Sequence, residues 1–482
     1  MTTRREFIVK SGTAFAGLAA LGNVRGLAKS RLRFLAEPND FVSRRPKLSE
    51  RKFVSEAVEN KIRQVKNAIG DRELAWIFEN CYPNPLDTTV KFQMLNGKPD
   101  TFVITGDIDA MWLRDSSAQV WPYVPLANED DKLKQLLAGV INRQTKCILI
   151  DPYANAFNYG PTGSPFDSDL TTMKPQLHER KWEIDSLCYP IRLAYGYWKT
   201  TGDTSCFDDK WLEAMKLVAS TFKQQQRKDG HGPYKFQRVT PVATDTLPGG
   251  GYGNPIKPVG LICSMFRPSD DATIFPFLIP SNYFAIASLR QLSEMSKQIV
   301  HDSGFAGECS ALADEVGSAI NKYAYVNHLD FGEILSYEVD GFGNRLYMDD
   351  ANAPSLLSLP FLDCLPQSDP LYHRTRKFVL SGSNPYFFKG SAGDGVGSPH
   401  TGLGKIWPMS IMVQAFTSDD TSEISTCLKI LIDSSAGTGF MHESFDQNDP
   451  NKFTRSWFAW ANSLFGELII KLYHEKPELL KA

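Results

Sequence analysis

Apolar residues recur along this 482-residue chain at the three- and four-residue spacing of amphipathic helices. Residues 48–70 show the pattern first, and Gly70 ends the segment. Its apolar positions are Phe53, Val54, Val58, Ile62, Val65 and Ile69. The same pattern returns in residues 131–150, 208–227, 281–300, 306–326, 421–435 and 456–476. The chain is therefore predicted to be all-α, in the sense of mainly helical.

Alternation of apolar and polar residues, which is typical of β-strands, is confined to short stretches. Residues 88–93 and 101–106 predict short hairpin strands, and residues 332–339 resemble another hairpin. Long Gly-, Pro- and Asp-rich connections, such as residues 245–260 and 381–402, separate the helices. Connections of this length inside a compact domain more often carry binding or catalytic residues than serve only to join helices.

The first 30 residues have the layout of an export signal. Arg4 and Arg5 precede a short apolar stretch, residues 12–21, and small residues that end near Ala28. The stretch is too short to span a bilayer as a helix, and TRREFIVK resembles the twin-arginine export signal. We therefore expect residues 1–30 to be a signal peptide, although a flexible basic tail is the alternative. The mature protein is then expected in the periplasm or outside the cell.

The composition is that of a soluble globular protein, with 42% hydrophobic and 22% charged residues. The net charge of −3 and the absence of a basic patch predict neither a nucleic-acid partner nor a membrane partner for the mature form. Eight cysteines lie far apart without Cys/His pairing, which excludes a disulfide-dense scaffold and a structural zinc site. We expect no cofactor and no metal, and a monomer built from one domain over residues 40–482.

The stretch GDIDAMWLRDSSAQVWPY, residues 106–123, combines three carboxylates, one arginine and two tryptophans. Other connections between predicted helices hold similar residues. These are Trp182, Glu183 and Asp185; Arg267, Asp270 and Asp271; Asp349, Asp350 and Asn352; His400; His442, Glu443 and Asp446; and Arg455, Trp457 and Trp460. If the helices form a ring, these connections can meet at one end and line a single acidic, aromatic pocket.

Acids beside tryptophan and arginine, without a nucleotide-binding loop, suit glycoside hydrolysis. This reaction needs a protonated carboxyl group that donates to the leaving oxygen and an ionised one that activates water or attacks carbon. Burial and neighbouring charges hold the two pKa values apart. The residues alone leave the question open, because carboxylates also cap helices and hold loops in place.

Six blocks resemble the metal-independent exo-α-1,6-mannosidases of glycoside hydrolase family 125. They are residues 106–123, 266–282, 348–362, 397–402, 440–446 and 454–469. The resemblance runs in order from about residue 50 to residue 472. It implies an (α/α)₆ barrel and hydrolysis of terminal α-1,6-linked mannose with inversion, by an Asp acid and a Glu base.

The resemblance also implies roles for single residues. FMHESFD matches the block of the general base, which assigns that role to Glu443. FRPSDDA matches the block of the general acid, where Asp270 is favoured over its neighbour Asp271. If Asp270 is the acid, its pKa must be raised by burial or by a neighbour. Inversion also requires about 6.5–9.5 Å between the two carboxyl groups.

The remaining candidates are expected to bind the sugar. They are Asp109, Trp112, Asp115, Arg267, Asp271, Asn352, His400, Arg455 and Trp457. Structural alternatives stay open: Asp115 can pair with Arg114 or cap a helix, and Trp112 can belong to the core.

The sequence thus predicts an exported exo-α-1,6-mannosidase that acts on mannan or N-glycan oligosaccharides, its partner being a mannose-containing oligosaccharide. Two alternatives remain: another inverting helical-barrel glycosidase, and a glycan-binding protein without turnover.

Overall fold

The computed structural model describes residues 41–481, so the signal-peptide prediction lies outside the described residues. Ser43–Ala482 form one compact unit. Within residues 41–481, no helix is both long enough and apolar enough to cross a membrane.

Helices account for most of the regular structure of this unit. They are α1 (Glu56–Ala68), α2 (Arg72–Cys81), α3 (Asn84–Thr88), α4 (Leu113–Val120), α5 (Asp131–Ile150), α6 (Asp185–Thr201), α7 (Asp209–Gln225), α8 (Ile279–Gln298), α9 (Ser303–Tyr323), α10 (Pro370–Val379), α11 (Pro408–Phe416), α12 (Thr421–Ser434) and α13 (Ala459–Glu475). All seven helical segments predicted from the apolar pattern are present.

The strands are short and antiparallel. They are β1 (Val90–Leu95), β2 (Lys98–Val103), β3 (Met111–Trp112), β4 (Ala156–Phe157), β5 (Leu177–Glu179), β6 (Phe277–Leu278), β7 (Tyr325–His328), β8 (Gly332–Leu335), β9 (Glu338–Val339), β10 (Arg345–Leu346), β11 (Phe387–Lys389), β12 (Asp394–Val396), β13 (Lys405–Ile406), β14 (Ser444–Asp446) and β15 (Asp449–Thr454). They pair as β1-β2, β3-β4-β5, β10-β9-β6, β7-β8, β11-β12 and β13-β14-β15.

Two predictions about elements need correction. The first helix begins at Glu56, because the Ser55 side chain caps it by accepting a hydrogen bond from the Val58 N–H, so Phe53 and Val54 precede the helix. Residues 332–339 do not form one hairpin, since β8 pairs with β7 whereas β9 pairs with β6 and β10. The predicted β1–β2 hairpin is confirmed.

Helices α4, α6, α8, α11 and α13 form an inner layer. In it α4 contacts α6, α6 contacts α8, and α13 contacts both α11 and α4. A buried segment of turns, residues 349–364, lies at the remaining position. There the Tyr189 hydroxyl of α6 donates to the Ala353 carbonyl at 3.0 Å, and the rings of Phe361 and Phe416 lie 4.9 Å apart.

Outer helices cover this layer. Helix α5 packs on α6, α9 on α8, α12 on α11, and α2 on α13. The mainly helical, barrel-like fold is confirmed, with only small sheets attached. The sheets occupy the connections that lead into the inner helices, and the candidate residues lie in those connections.

Candidate active site

The Arg114 side chain is the centre of a buried group of carboxyl groups. It belongs to the first turn of α4, and its guanidinium is 4% exposed. Nη1 donates to Glu183 Oε2 at 2.6 Å and to Asp185 Oδ2 at 3.2 Å, while Nη2 donates to Asp270 Oδ1 at 3.0 Å. Asp115 Oδ2 lies 3.5 Å from Nε. We call Arg114, Asp115, Glu183, Asp185 and Asp270 the Arg114 cluster.

The β3-β4-β5 sheet brings the parts of this cluster together. Strand β3 leads directly into α4, and β5 lies four residues before Glu183. The Leu113 N–H donates to the Asn155 carbonyl at 3.0 Å, which ties the start of α4 to the chain that precedes β4. Two stretches that are about 70 residues apart in sequence therefore present Arg114 and Glu183 to each other.

Asp270 occupies a tight loop that ends with its backbone in the left-handed region, at φ 66°. Its N–H donates to the Arg267 carbonyl at 2.8 Å, and the Arg267 N–H donates to the Asp271 carbonyl at 2.8 Å. The Lys181 ammonium donates to the Asp270 carbonyl, also at 2.8 Å. A positive φ at a non-glycine residue costs free energy and is found disproportionately at functional sites.

The carboxyl groups of the cluster differ in proton affinity. Burial raises the pKa of Glu183 well above its ordinary value, and it raises that of Asp185 to about 6. Burial also acts on Asp270, but the positive charges of Arg114 and then Lys181 outweigh it and hold the pKa of Asp270 below its ordinary value. The rise that the sequence led us to expect at Asp270 is therefore wrong, because two cations contact this residue.

Arg267 is buried beside the same loop. Its Nε donates to Glu338 Oε1 at 2.6 Å, and Glu338 Oε2 accepts from the N–H groups of Ile274 and Phe275 at 2.9 Å each. Among the described residues, the Arg267 Nη2 has no hydrogen-bond partner. The Arg267–Glu338 pair therefore fixes the loop and still leaves a donor for another group.

Asp271 points to a different partner from Asp270. Its Oδ1 lies 3.5 Å from His400 Nδ1, while its buried Oδ2 has no hydrogen-bond partner within residues 41–481. Asn352 similarly has a buried Nδ2 without a partner in that part of the chain. Beside them, Asp350 Oδ2 accepts from the hydroxyls of Ser269 and Ser398, at 3.1 and 3.0 Å. Buried polar atoms without protein partners are suited to bind hydroxyl groups of a ligand.

Glu443 belongs to a second arginine cluster. Arg455 Nη1 lies 3.5 Å from Glu443 Oε1, and Arg455 Nε donates to Asp107 Oδ2 at 3.1 Å. Arg455 Nη2 also donates to the Thr105 carbonyl at 3.0 Å. The Glu443 side chain is 7% exposed. We call Arg455, Asp107 and Glu443 the Arg455 cluster.

Side-chain contacts connect the two halves of the site. The His400 ring, which faces Asp271, lies 6.3 Å from that of Trp407, and Trp407 lies 6.3 Å from Phe458. The Arg455 guanidinium stands 4.6 Å from the Phe458 ring. The chain itself makes a second connection, because Asp107 and Arg114 are seven residues apart and bind different clusters. Contacts thus link Asp271, the neighbour of Asp270, to Glu443 through His400, Trp407, Phe458 and Arg455.

The structure places the other candidates in different surroundings. Asp109 is exposed and forms an ion pair with Lys91 at 3.2 Å, so it does not join either cluster. Trp112 is buried against Ala110 and Ala156, as the core alternative has it. Trp457 is half-buried and packs over Gly106, where an added Cβ would lie 3.1 Å from the indole ring.

Sequence reasoning named several acids of the site without giving them a role: Asp107, Glu183, Asp185 and Asp350. It did not name Lys181 or Glu338. Most of these residues lie in stretches that the sequence marks as rich in acids, so the stretches were identifiable but the individual contacts were not. Glu338 carried no signal, because it lies in a short strand and its partner is 71 residues away.

No group of three or more His, Cys, Asp or Glu side chains in the described part of the chain could hold a metal ion. The carboxylates that converge do so around arginine side chains. The site therefore offers carboxyl groups that differ in proton affinity, unpaired donors and acceptors, and aromatic rings, which are the groups that general acid–base chemistry on a sugar requires.

Comparison with known proteins agrees with this chemistry. Residues 71–470 match the family described as metal-independent α-mannosidase (GH125). The meiotically up-regulated gene 157 protein of Schizosaccharomyces pombe is 43% identical over 456 residues, which cover 91% of this chain and 89% of that protein.

A solved structure from Streptococcus pneumoniae is similar throughout. It is described as a metal-independent α-mannosidase in a non-productive complex with α-1,6-mannobiose. The similarity has a TM-score of 0.84 at 40% identity and covers 88% of this chain and 100% of that one. This chain belongs to the metal-independent α-mannosidases of glycoside hydrolase family 125.

Proposed function

We propose that this α-mannosidase removes terminal α-1,6-linked mannose from mannan or N-glycan oligosaccharides, with inversion at the anomeric carbon. One observation carries the proposal: Asp270 and Glu443 are held by different arginine side chains. An inverting enzyme needs its two carboxyl groups apart, so that a water molecule fits between one of them and the sugar. The α-1,6-mannobiose bound to the Streptococcus pneumoniae relative supports the linkage.

In the proposed reaction Glu443 is the general base. It takes a proton from water, the water oxygen attacks the anomeric carbon, and the bond to the leaving oxygen breaks. Asp270 gives that oxygen a proton. Asp271, Asn352 and the free donor of Arg267 are assigned to the mannose hydroxyls because each has a buried polar atom without a partner in the described chain, and His400 because it contacts Asp271.

The test is proton NMR of the full chain acting on α-1,6-mannobiose, with a chelator present throughout. We expect β-mannose to appear first and to convert slowly to the equilibrium mixture. Parallel reactions with the α-1,2 and α-1,3 isomers and with α-glucosides establish the linkage and the sugar.

Three results would contradict the proposal. Early α-mannose would mean retention, and the roles of Asp270 and Glu443 would then be wrong. Faster release from an α-glucoside would point to another inverting glycosidase. No release from any substrate, together with measurable binding of mannobiose, would point to a glycan-binding protein.

We also propose that the protein is exported through a twin-arginine signal, on the basis of Arg4, Arg5 and the short apolar stretch that follows. Replacing both arginines by lysine keeps the charge and removes the pair. We expect this variant to stay in the cytoplasm of a bacterial host that exports the unchanged chain, as measured by cell fractionation. Equal export of the two chains would contradict the proposal.

A further inference from the structure

The Arg114 cluster contains more carboxyl groups than its cation can balance. Four carboxyl groups contact one guanidinium, and all of them are buried or nearly so. Lys181 is the nearest other cation, and its ammonium is also engaged with Asp245, at 2.7 Å. Several unbalanced charges in a buried group are costly, so the cluster is expected to retain a proton, shared among coupled groups.

Contacts within the cluster indicate where that proton lies. Glu183 Oε2 accepts from Arg114 and from the Ser186 hydroxyl, at 2.6 and 2.8 Å, so it behaves as an acceptor. Glu183 Oε1 is buried and has no donor among the described residues. Glu183 Oε2 and Asp270 Oδ1 accept from the two terminal nitrogens of the same guanidinium, at 2.6 and 3.0 Å, so the two carboxyl groups are neighbours. Two carboxyl groups can be hydrogen-bonded only through a proton that one of them carries.

The two partners differ in their access to a substrate. The Glu183 side chain is 0% exposed, whereas that of Asp270 is 13% exposed. Burial disfavours the ionised form of a carboxyl group, so it favours a proton on Glu183, while Asp270 is the member of the pair that can reach a glycosidic oxygen. The opposite pKa shifts of the two residues agree with this order.

We propose that Glu183 holds the proton that Asp270 delivers to the leaving oxygen. Arg114 holds the two carboxyl groups next to each other by donating to both. This inference rests on the proposed function and assigns Glu183 as a positioning and proton-holding residue behind the acid. Asp270 alone, beside two cations, would be ionised and unable to act as an acid near neutral pH.

Every proton that moves in this step has a donor and an acceptor. Asp270 gives a proton to the glycosidic oxygen as the bond to the anomeric carbon breaks, and it receives the Glu183 proton. Water supplies hydroxide to the anomeric carbon and a proton to Glu443. After product release, Glu443 loses that proton to solvent, and the Glu183–Asp270 pair takes one up.

The pH dependence of the pair follows from the groups that face it. Glu183 faces Arg114 of α4, Asp185 of α6, Asp270 of the 267–271 loop and Tyr234. Asp270 additionally faces Lys181 and His400. Removal of the Glu183 carboxyl leaves Asp270 with its own low proton affinity, so the alkaline limb of the activity profile should move to lower pH.

The experiment compares two substrates in a Glu183→Gln variant. Glutamine keeps an oxygen for Arg114 and an amide that can donate to Asp270, but it has no proton to release. On α-1,6-mannobiose, whose leaving alkoxide needs protonation, we expect kcat to fall by about 10²-fold or more with a shifted alkaline limb. On 2,4-dinitrophenyl α-mannoside, whose leaving group needs no acid, we expect kcat to stay within about threefold of the unchanged enzyme.

Asp185→Asn is the matched control. Asp185 is as buried as Glu183 and accepts from the same Arg114 nitrogen, at 3.2 Å, but the proposal gives it no proton to pass to Asp270. We expect it to affect both substrates by the same factor, through the position of Arg114. If Glu183→Gln lowers kcat equally on both substrates, Glu183 has only the structural role of Asp185 and the proposal is overturned. No loss of kcat on either substrate would overturn it as well.

Infrared spectroscopy of the free protein provides a readout that does not depend on activity. We expect a carbonyl band of a buried protonated carboxyl group near neutral pH, which is lost in Glu183→Gln and retained in Glu183→Asp. If this band is unchanged in Glu183→Gln, the inference fails even when the enzyme inverts mannobiose. If the band is lost but the unchanged protein releases no mannose, the proposed function fails and the proton assignment stands.

Discussion

Asp270 and Asp271 are adjacent in sequence, but their carboxyl groups lie in different surroundings. Asp270 contacts Arg114 and Glu183, whereas Asp271 contacts His400 and has one oxygen without a protein partner in the described chain. The backbone makes a tight turn between Arg267 and Asp271, in which the Arg267 N–H donates to the Asp271 carbonyl and Asp270 has a positive φ. This turn explains why the two adjacent carboxyl groups reach different partners. Of the two, Asp270 lies beside Glu183 on the Arg114 guanidinium, so Asp270 is the one that the proposed proton holder can resupply.

Two substitutions separate the roles of these residues. Asp270→Asn removes the acid, so we expect kcat on α-1,6-mannobiose to fall by about 10²–10⁴-fold while 2,4-dinitrophenyl α-mannoside is turned over at nearly the unchanged rate. Asp271→Asn weakens binding of the sugar hydroxyls, so we expect kcat/KM to fall and KM to rise for both substrates. Steady-state kinetics on both substrates measure this. The reverse pattern would make Asp271 the acid and would also remove the reason for the Glu183 assignment.

Sequence reasoning at this scale identified the stretches but not the pairings. Glu443 and Arg455 were both candidates, and they prove to be in contact. Arg114 appeared only as a partner for Asp115, whereas its strongest contacts are with Glu183, Asp185 and Asp270. These contacts join residues that are 69 to 156 positions apart, and no local pattern reports such distances.

At the scale of elements, the helices of the two layers begin differently. Side chains cap the outer helices α1, α2, α5, α7, α9, α10 and α12, with Ser55 at α1 and an aspartate at each of the others. The inner helices α4, α6, α8, α11 and α13 have no side-chain cap and follow an apolar or aromatic residue. Backbone carbonyls take the place of a side-chain cap at two of them, because the Leu113 N–H of α4 donates to Asn155 at 3.0 Å and the Ile279 N–H of α8 donates to Tyr337 at 2.9 Å.

This difference explains only part of the outcome, because the capped helices α2 and α10 were missed whereas the inner helices α8 and α13 were predicted. An outer helix has one apolar face and a capping residue, and both are visible as local patterns. Helices α4 and α6 bury polar residues such as Arg114 and Asp185, so no polar face marks them as helices. Pro190 within α6 further obscures the pattern. Three of the inner helices, α4, α6 and α11, were accordingly not predicted.

At the scale of the whole molecule, closure of the inner layer depends on a segment that is not a helix. Residues 349–364 form a series of buried turns that contact α6 through Tyr189 and α11 through Phe416. The buried Asp349 side chain holds this segment, because its two oxygens accept from the Leu356 and Leu357 N–H groups at 2.8 and 2.9 Å. The resemblance to a barrel family implied six inner elements, but only the structure shows that one of them is irregular.

Asp349 should make the stability of the barrel depend on pH. Burial raises the pKa of Asp349 to about 8, whereas that of an unfolded aspartate is about 3.9. The folded protein therefore binds more protons between these values, so this contribution is complete below about pH 4 and is lost as the pH rises through about 8. This contribution of Asp349 to the free energy of unfolding is at most on the order of 5 kcal/mol.

Asp349→Asn should destabilise the protein at pH 5 by about 1–3 kcal/mol, because one N–H group loses its acceptor. The unchanged chain should lose about 4 kcal/mol of this contribution between pH 5 and pH 8, so the gap should close and then reverse, as measured by urea unfolding at several pH values. A constant gap would show that Asp349 stays ionised in the fold, and that its two backbone donors alone stabilise the segment.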